Sequence, residues 1–370
     1  MLYLFACLAN SNDSASGEAP QQEASLEQWT DSGDRYILYT TIRQSGIGSV
    51  NIFDRSTQEV IWTHFNDRDH QWVDVQPSVD GAKIYVLEED LFDSNGHGTW
   101  LLTLDKTGIL SERELPNGHH TVAVRDQDGV EQIFSLHNAF IQGDPPLISD
   151  VIQLHIGGST TPFFDLNDWI VWEKAAPFFM ELQSGMIDKT HANTLRYDKD
   201  RGTLMLSCAG LNTILELDLS GQIVAAYLGT RMDKEAFSEA SGYTGFPIFS
   251  GAMYDKPHGG LFDDEGSVWS ITDVHTETGE LRKLLVGYQP EGEQLLLSNQ
   301  IDPPYEGMLP MAGGDVIPLG ARRFVVSWGF SGIVEEVSAE GERLWMIEMP
   351  FQEGAGFIGS SDDMSLFLEE

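Results

Sequence analysis

The stretch that decides the fold runs from Thr190 to Val224 and reads THANTLRYDKDRGTLMLSCAGLNTILELDLSGQIV. His191 opens a strand-like run, which a turn ending at Gly202 reverses into a more apolar run. A second hairpin follows, with its turn at Gly221. Short runs of β-branched and long apolar residues between Gly and Asp turns are typical of antiparallel sheets. The stretch therefore predicts one sheet of four strands.

The same pattern recurs along the chain. First hairpins read HQWVDVQPSVDGAKIYVLEED from His70, HTVAVRDQDGVEQIFSL from His120, HGGLFDDEGSVWSITDV from His258 and GGDVIPLGARRFVVSWG from Gly313. Second hairpins begin at Ser49, Leu101, Thr213, Lys283 and Gly332, and the segment 132–170 offers a degenerate sixth. A four-stranded sheet buries both of its faces when such sheets stack radially.

These repeats predict an all-β fold, a six-bladed β-propeller of four-stranded antiparallel blades that occupies residues 29–370 as one domain. We expect insertions near 137–188 and 229–253, and strands near 36–42 that complete the last blade. An α/β fold is excluded because the gaps between strands lack amphipathic helices of roughly 10–15 residues.

Composition restricts the function. The chain has 370 residues, with 21 basic and 58 acidic side chains and a net charge of −37. Such a surface repels phosphate backbones and anionic membranes, so we expect no nucleic-acid partner. No loop of the calcium-binding EF-hand type is present. The charge therefore indicates a soluble acidic surface suited to a salty or extracytoplasmic setting.

The amino terminus suggests a membrane anchor. Residues 4–7 read LFAC and resemble a bacterial lipobox, in which Cys7 would be lipidated, and the polar run after it resembles a lipoprotein tether. We expect residues 1–28 to be this segment and its flexible tether, and the protein to be a lipoprotein of the cell envelope or periplasm. Because six residues before Cys7 are too few for an export signal, we expect translation to start further upstream.

Four histidines stand in the same phase of four repeats: His70, His120, His191 and His258. In a propeller the innermost strand of each blade lines the central channel, so we expect these imidazoles to meet there. Imidazole serves as nucleophile, proton carrier or metal ligand near neutral pH. We expect no metal and no cofactor, because side chains across a channel are too far apart for bonds of about 2 Å. His119 should point the other way, and the remaining histidines should lie at the surface or in loops: His64, His97, His137, His155 and His275.

Two runs resemble the bacterial arylsulfotransferases, which move sulfate between phenols through a sulfated histidine. They are THANTLRYDKDRGTLMLSCAGLNTILELDLSGQIVAAYLG from Thr190 and KPHGGLFDDEGSVWSI from Lys256, and the segment from Gly314 to Trp345 is similar to a late blade of that family. The resemblance implies that His191 and His258 hold the sulfuryl group and the phenol oxygen. It also implies a phenolic or sulfate-ester ligand, with Asn193 and Asn212 among the residues that contact it, and Arg196 is a candidate to replace a family arginine that this sequence lacks.

The sequence departs from this family at three positions. No Arg follows His258, Ala209 stands where Arg is frequent, and the place of the nucleophilic histidine reads Ala-Gly-Gly from Ala312 to Gly314. Two alternatives therefore stay open: a non-catalytic envelope propeller that binds a ligand or protein at its channel mouth, and a quinoprotein-like propeller suggested by turns such as SAEGERLW.

Overall fold

The computed structural model shows six antiparallel sheets of four or more strands arranged as a six-bladed β-propeller. It describes residues 33–43, 48–68, 70–89, 99–144, 146–170, 180–181, 186–230, 232, 234–240, 245–253, 255–275, 281–305, 313–350 and 353–369. The predicted fold class is confirmed. The predicted tether and Cys7 lie outside the described residues.

Blades 1 to 3 contain the first half of the strands, in chain order. Three strands of blade 1 are β1 (Tyr36–Arg43), β2 (Ser49–Asp54) and β3 (Glu59–Phe65). Blade 2 consists of β4 (Gln71–Pro77), β5 (Ile84–Glu89), β6 (Thr99–Asp105) and β7 (Gly108–Glu114). Blade 3 consists of β8 (Gly118–Gln127), β9 (Val130–Ile141), β10 (Leu147–Ile156) and β11 (Ser159–Asp165), extended by β12 (Met180–Glu181) and β13 (Ile187–Asp188).

Blades 4 to 6 repeat the arrangement. Blade 4 consists of β14 (Ala192–Asp198), β15 (Thr203–Cys208), β16 (Thr213–Leu217), β17 (Ile223–Leu228) and β18 (Ile248–Phe249). Blade 5 consists of β19 (Asp255–Phe262), β20 (Val268–His275), β21 (Leu281–Glu291) and β22 (Gln294–Ile301). Blade 6 consists of β23 (Asp315–Gly320), β24 (Arg323–Ser327), β25 (Ile333–Ser338) and β26 (Arg343–Glu348).

The helices within the described residues are short. They are α1 (Leu166–Trp169), α2 (Lys234–Ala240), α3 (Ser365–Glu369) and a 3-10 turn at Gly329–Ser331. In the described part of the chain, no helix has the length and apolar character needed to cross a bilayer.

A carboxyl-terminal strand closes the ring. Strand β27 (Glu353–Ser361) pairs with β1 and becomes the innermost strand of blade 1. It passes very close to β4, since a Cβ added to Gly356 or Gly359 would lie 2.5 Å from the carbonyl oxygen of Val73 or Val75. Only glycine fits at these two positions. The strand predicted near 36–42 does not complete the last blade: it lies in blade 1, where it pairs with β2 and β27, and the carboxyl-terminal strand completes this first blade.

The core is divided among the interfaces between blades. Along β5, Ile84 and Val86 pack towards blade 1, whereas Tyr85 and Leu87 pack towards blade 3. This alternation places one apolar cluster at each of the six interfaces. The period of two along each strand thus buries both sheet faces.

The two predicted insertions differ in outcome. Strands β9 to β11 of blade 3 cover residues 130–165, as the degenerate sixth unit at 132–170 predicted, so most of the expected insertion at 137–188 is blade. Residues 229–253 contain α2 and the added strand β18, between the outer strand of blade 4 and the inner strand of blade 5.

Candidate active site at one end of the axis

A buried ion cluster fills the middle of the axis. Arg196, on the innermost strand of blade 4, donates hydrogen bonds to Asp74 on β4 at 3.1 Å and to Asp315 on β23 at 2.5 Å. Its guanidinium also donates to Thr121 Oγ1 at 2.5 Å, and Asp315 accepts from the Ile358 N–H at 3.2 Å. Five innermost strands meet in these contacts. The cluster therefore separates the two ends of the axis, and Arg196, predicted to contact the ligand, is engaged by two carboxylates.

The end of the axis where the innermost strands begin carries the predicted imidazoles. We call it the histidine end and define it by His119, His120, His191, His258 and Lys283. The rings of His120 and His191 lie 5.5 Å apart, centroid to centroid. The backbone N–H of Gly259, next to His258, donates to Thr194 Oγ1 of blade 4 at 3.0 Å, and burial, followed by the charges of Lys283, His191 and His120, lowers the pKa of His258. Three of the four predicted imidazoles thus come together from blades 3, 4 and 5.

His191 is oriented by an aspartate. Its Nδ1 lies 2.7 Å from Asp188 Oδ2, and its backbone N–H donates to Asp188 Oδ1 at 3.0 Å. Burial lowers the pKa of His191, but the charge and hydrogen bond of Asp188 outweigh it and raise the pKa above the ordinary value. The ring is a quarter exposed (26%), and the structure shows no partner for Nε2 among the residues it describes. His191 is therefore an accessible proton donor at the histidine end.

His120 is held in the same manner. Glu89 Oε2 accepts from the His120 backbone N–H at 3.0 Å and lies 3.6 Å from Nδ1. Burial raises the pKa of Glu89, but the hydrogen bond and charge of His120 bring it below the ordinary value. Glu89 is therefore a carboxylate that orients the ring.

Four residues at or beside the histidine end have a left-handed backbone conformation. His120, His191, Asn212 and Lys256 have positive φ values of 60°, 39°, 53° and 51°. A side-chain oxygen fixes three of these residues by accepting the backbone N–H, namely Glu89 at His120, Asp188 at His191 and Asn212 at Lys256. Left-handed backbone at non-glycine residues costs on the order of 1–3 kcal/mol each and clusters at functional sites. The repetition of one device in three blades indicates a site rather than loop irregularity.

His258 differs from His191 in its protonation. Its Nδ1 lies 3.1 Å from the Lys256 carbonyl, which accepts only, so Nδ1 carries the proton and Nε2 carries the lone pair. Burial, followed by the charges of Lys283 and His191, lowers the pKa of His258 well below the ordinary value. His258 is therefore a neutral imidazole with an unprotonated Nε2.

Lys283 is a residue of the histidine end that the sequence did not predict. This lysine lies on β21 and donates to the Gly313 carbonyl, in the segment where a nucleophilic histidine was expected. Burial lowers its pKa to about 8, against an opposing contribution from Asp273. No motif marks it, because a lysine in the third strand of a blade resembles any other strand residue. Lys283 supplies a cation near His258, where the expected arginine is absent.

His119 and Asp150 were missed for a different reason. A bulge between His119 and Val122 interrupts the alternation of β8, so that the His119 ring lies 4.8 Å from His120 and does not point away. Its Nε2 lies 2.7 Å from Asp150 Oδ1, while Asp150 Oδ2 accepts from Thr190 Oγ1 and the Ala192 N–H. Asp150 thereby accepts from the residues on both sides of His191, through the side chain of Thr190 and the backbone of Ala192.

The two predicted asparagines are buried beside this group. Asn193 accepts from Ser207 at 2.7 Å and Asn212 accepts from the Lys256 N–H at 3.1 Å, each through Oδ1. Neither Nδ2 has a hydrogen-bond partner within the described residues. Each amide thus has an unused donor.

The structure does not place His70 with the other rings. His70 stacks on Trp100 at 4.9 Å and contacts Glu88 at 3.2 Å, within blade 2. Buried Glu88 also accepts from Trp72 at 2.9 Å. This local carboxylate explains why a histidine at the same phase turns into its own blade.

Two histidines expected at the surface or in loops are buried in blade 3. Ser135 Oγ lies 2.7 Å from both His137 Nε2 and His155 Nε2. His137 Nδ1 must donate to the Pro116 carbonyl at 2.9 Å, so Ser135 donates to His137 and accepts from His155. Thr160 completes the chain by donating to His155 Nδ1 at 2.9 Å. These contacts support the strand that carries His119 and His120.

Comparisons with known proteins bear on the fold alone. No family model and no curated protein matches the chain. A protein of unknown function from Bacteroides caccae has a TM-score of 0.52 at 12% identity, over 89% of this chain and 100% of that one. A functionally unknown protein from Desulfotomaculum acetoxidans DSM 771 has a TM-score of 0.47 at 12% identity, over 87% of this chain and 98% of that one. The class defined by fold and site is thus a β-propeller with a histidine cluster on its axis, and the resemblance to arylsulfotransferases stays a prediction.

Proposed function

We propose that the histidine end catalyses sulfuryl transfer from a phenolic sulfate ester to a phenol. The observation that carries this proposal is that one end of the axis holds His258, whose Nδ1 faces a carbonyl, and His191, whose Nδ1 faces a carboxylate. Burial lowers the pKa of His258 and favours a neutral ring with a lone pair on Nε2, whereas Asp188 raises the pKa of His191 and favours its protonated form. A nucleophile and an acid set apart in this way are what covalent group transfer requires.

In the first step, His258 Nε2 attacks sulfur and forms an N–S bond as the ester S–O bond breaks. The departing phenolate takes the proton of His191 Nε2. Lys283, whose charge acts on His258, stabilises the sulfonate oxygens, which carry the developing charge.

In the second step, the acceptor phenol transfers its proton to His191 as its oxygen attacks sulfur. The N–S bond breaks and returns the electron pair to His258. Both histidines regain their starting states, so the cycle needs no metal, oxidant or further reactant.

The direct test is release of nitrophenol from 4-nitrophenyl sulfate in the presence of a phenol acceptor. We expect His258→Gln to lose at least about 1000-fold in rate, because the nucleophile is removed. His70→Gln is the matched control, since its ring lies in blade 2, and it should keep the wild-type rate. Turnover that survives His258→Gln, or a wild-type protein without turnover on any aryl sulfate, would contradict the proposal.

We further propose that the enzyme works in the cell envelope, tethered through a lipid on Cys7. The support is the lipobox-like sequence LFAC and the strongly acidic composition. The full-length gene product should incorporate labelled palmitate in a bacterial host, and Cys7→Ser should abolish the label. Label that persists in the variant would exclude this anchor.

A further inference from the structure

A second concave site lies at the opposite end of the axis. It is a cavity of about 740 Å³, lined by the residues at which the six innermost strands finish, such as Pro77, Asp126, Asp198, Phe262 and Ser361. We call it the acidic end. The buried cluster around Arg196 separates it from the histidine end.

Negative charge dominates the lining. Seven aspartates contribute to it, against three cationic side chains, and these aspartates are Asp34, Asp80, Asp126, Asp198, Asp200, Asp362 and Asp363. Two of the cations are already engaged: Arg196 by Asp74 and Asp315, and Arg125 by Gln132 and Gln127. The cavity therefore has an excess of carboxylates.

Two features of these carboxylates call for a cation. Asp198 is only 6% exposed, and its Oδ2 has no hydrogen-bond partner among the described residues. Asp34 and Asp362 line the same cavity, and burial together with the charge of Asp34 raises the pKa of Asp362. Neighbouring like charges are stabilised by a proton or a cation between them.

The contact between Lys199 and Asp34 indicates which kind of cation the acidic end can bind. The ammonium of Lys199 lies 3.6 Å from Asp34, although 70% of the lysine side chain remains exposed. An ammonium on a flexible alkyl stem thus already approaches this carboxylate from solvent. Because the contact is exposed, it is weak enough for a second ammonium to replace it.

A metal ion fits less well than an extended ligand. Within the described residues, no three histidine, cysteine or acidic side chains converge on one point as metal ligands. The carboxylates are instead spread around a wall that includes Tyr197, Leu261, Phe262 and Pro318. Apolar surface between separated carboxylates matches a methylene chain between separated amino groups.

From this arrangement we propose that the acidic end binds a linear polyamine, with its ammonium groups on Asp198 and on the Asp34–Asp362 pair and its methylene groups against the apolar wall. The site is independent of the proposed sulfuryl transfer, since no residue of the histidine end contributes to it.

The test is isothermal titration of the full chain with spermidine at low and high salt. We expect measurable binding that weakens with salt, and an affinity about tenfold lower in Asp198→Asn and in Asp362→Asn. The amide introduced by Asp198→Asn keeps an acceptor oxygen for the turn N–H groups of Asp200 and Arg201, so that variant should fold. Glu239→Gln removes an exposed charge from α2 and should change the affinity by less than about twofold.

Absence of spermidine binding, or equal affinity in all three variants, would overturn the proposal. Displacement of spermidine by an equal concentration of Ca²⁺ would also overturn it, in favour of a metal site. Aryl sulfate turnover by the same preparations is measured separately, so failure at one end is distinguished from failure at the other.

Discussion

The two ends of the axis differ in how their carboxylates are paired with neighbouring groups. At the histidine end, each carboxylate has a defined partner: Asp188 contacts His191, Glu89 contacts His120, and Asp150 contacts His119. At the acidic end, Asp198 keeps one oxygen without a hydrogen-bond partner among the described residues, and the charge of Asp34 acts on Asp362. The carboxylates of the histidine end orient other groups, whereas those of the acidic end are the ones for which we propose a cationic ligand.

The cluster around Arg196 is what keeps these two regions distinct. Arg196→Met should cost about 3–5 kcal/mol in the free energy of unfolding, because Asp74 and Asp315 would stay buried without their cation. Urea denaturation measures this loss. Arg282→Met removes an exposed pair with Asp302 and should cost no more than about 1 kcal/mol. Equal losses of unfolding free energy in the two variants would show that the ion cluster around Arg196 does not stabilise the centre of the propeller.

The pairing at the histidine end predicts a pH effect. Asp188 raises the pKa of His191, so His191 is protonated below that pKa and loses its proton as the pH rises through it. Asp188→Asn should therefore move the alkaline limb of kcat/KM to lower pH and reduce the rate at pH 8 by about tenfold. A pH–rate profile on 4-nitrophenyl sulfate measures the shift. An unchanged alkaline limb would mean that His191 is not the acid.

Acid should weaken the blade that supports His119 and His120. Burial lowers the pKa of His155 from 6.5 to about 4, so the unfolded chain takes up a proton first as the pH falls below about 6.5. Stability should then fall by up to about 1.4 kcal/mol per pH unit between these values, and His155→Gln should reduce this slope. Urea unfolding at a series of pH values tests it, and parallel profiles for the two proteins would contradict the expectation.

The smallest effect concerns the acidic end. Because the folded state raises the pKa of Asp362, its ionised form is disfavoured at neutral pH and the penalty disappears below the unfolded pKa. Asp362→Asn should stabilise the protein by only a few tenths of a kcal/mol at pH 7, since Asp362 is partly in contact with solvent, which screens the repulsion from Asp34. Thermal melting with and without spermidine measures this gain, which should vanish when the ligand is present. If Asp362→Asn stabilises the protein equally with and without spermidine, the repulsion between Asp34 and Asp362 is unrelated to spermidine binding.

Local pattern predicted the blades more reliably than the ring closure. Strands such as β15, TLMLSC, combine apolar runs with flanking turns and are evident from the sequence. Strand β27 reads EGAGFIGSS and carries no such signal, because close packing against β4 requires glycines where a strand usually has branched residues. The strand that closes the propeller can thus be recognised only from its packing against neighbouring strands in the structure.

The candidate site was predicted in part for the same reason. Equal phase in successive repeats brought His120, His191 and His258 to one end of the axis, as expected for equivalent strand starts. The position of the histidines within the repeats did not predict that His70 contacts Glu88 within blade 2. It also did not predict that a bulge in β8 places His119 beside His120. Side-chain direction at a strand end depends on local register and partners, which repeat spacing does not specify.

The sequence by itself determined the sheet class, the number of blades and the phase at which imidazoles occur, because these follow from strand periodicity and turn chemistry. Only the tertiary structure decided which imidazoles meet, that Lys283 joins them and that Arg196 closes the axis with Asp74 and Asp315. The physical reason is that hydrogen bonds and ion pairs act over a few ångströms, and residues distant in sequence reach that range only when all six blades are in place.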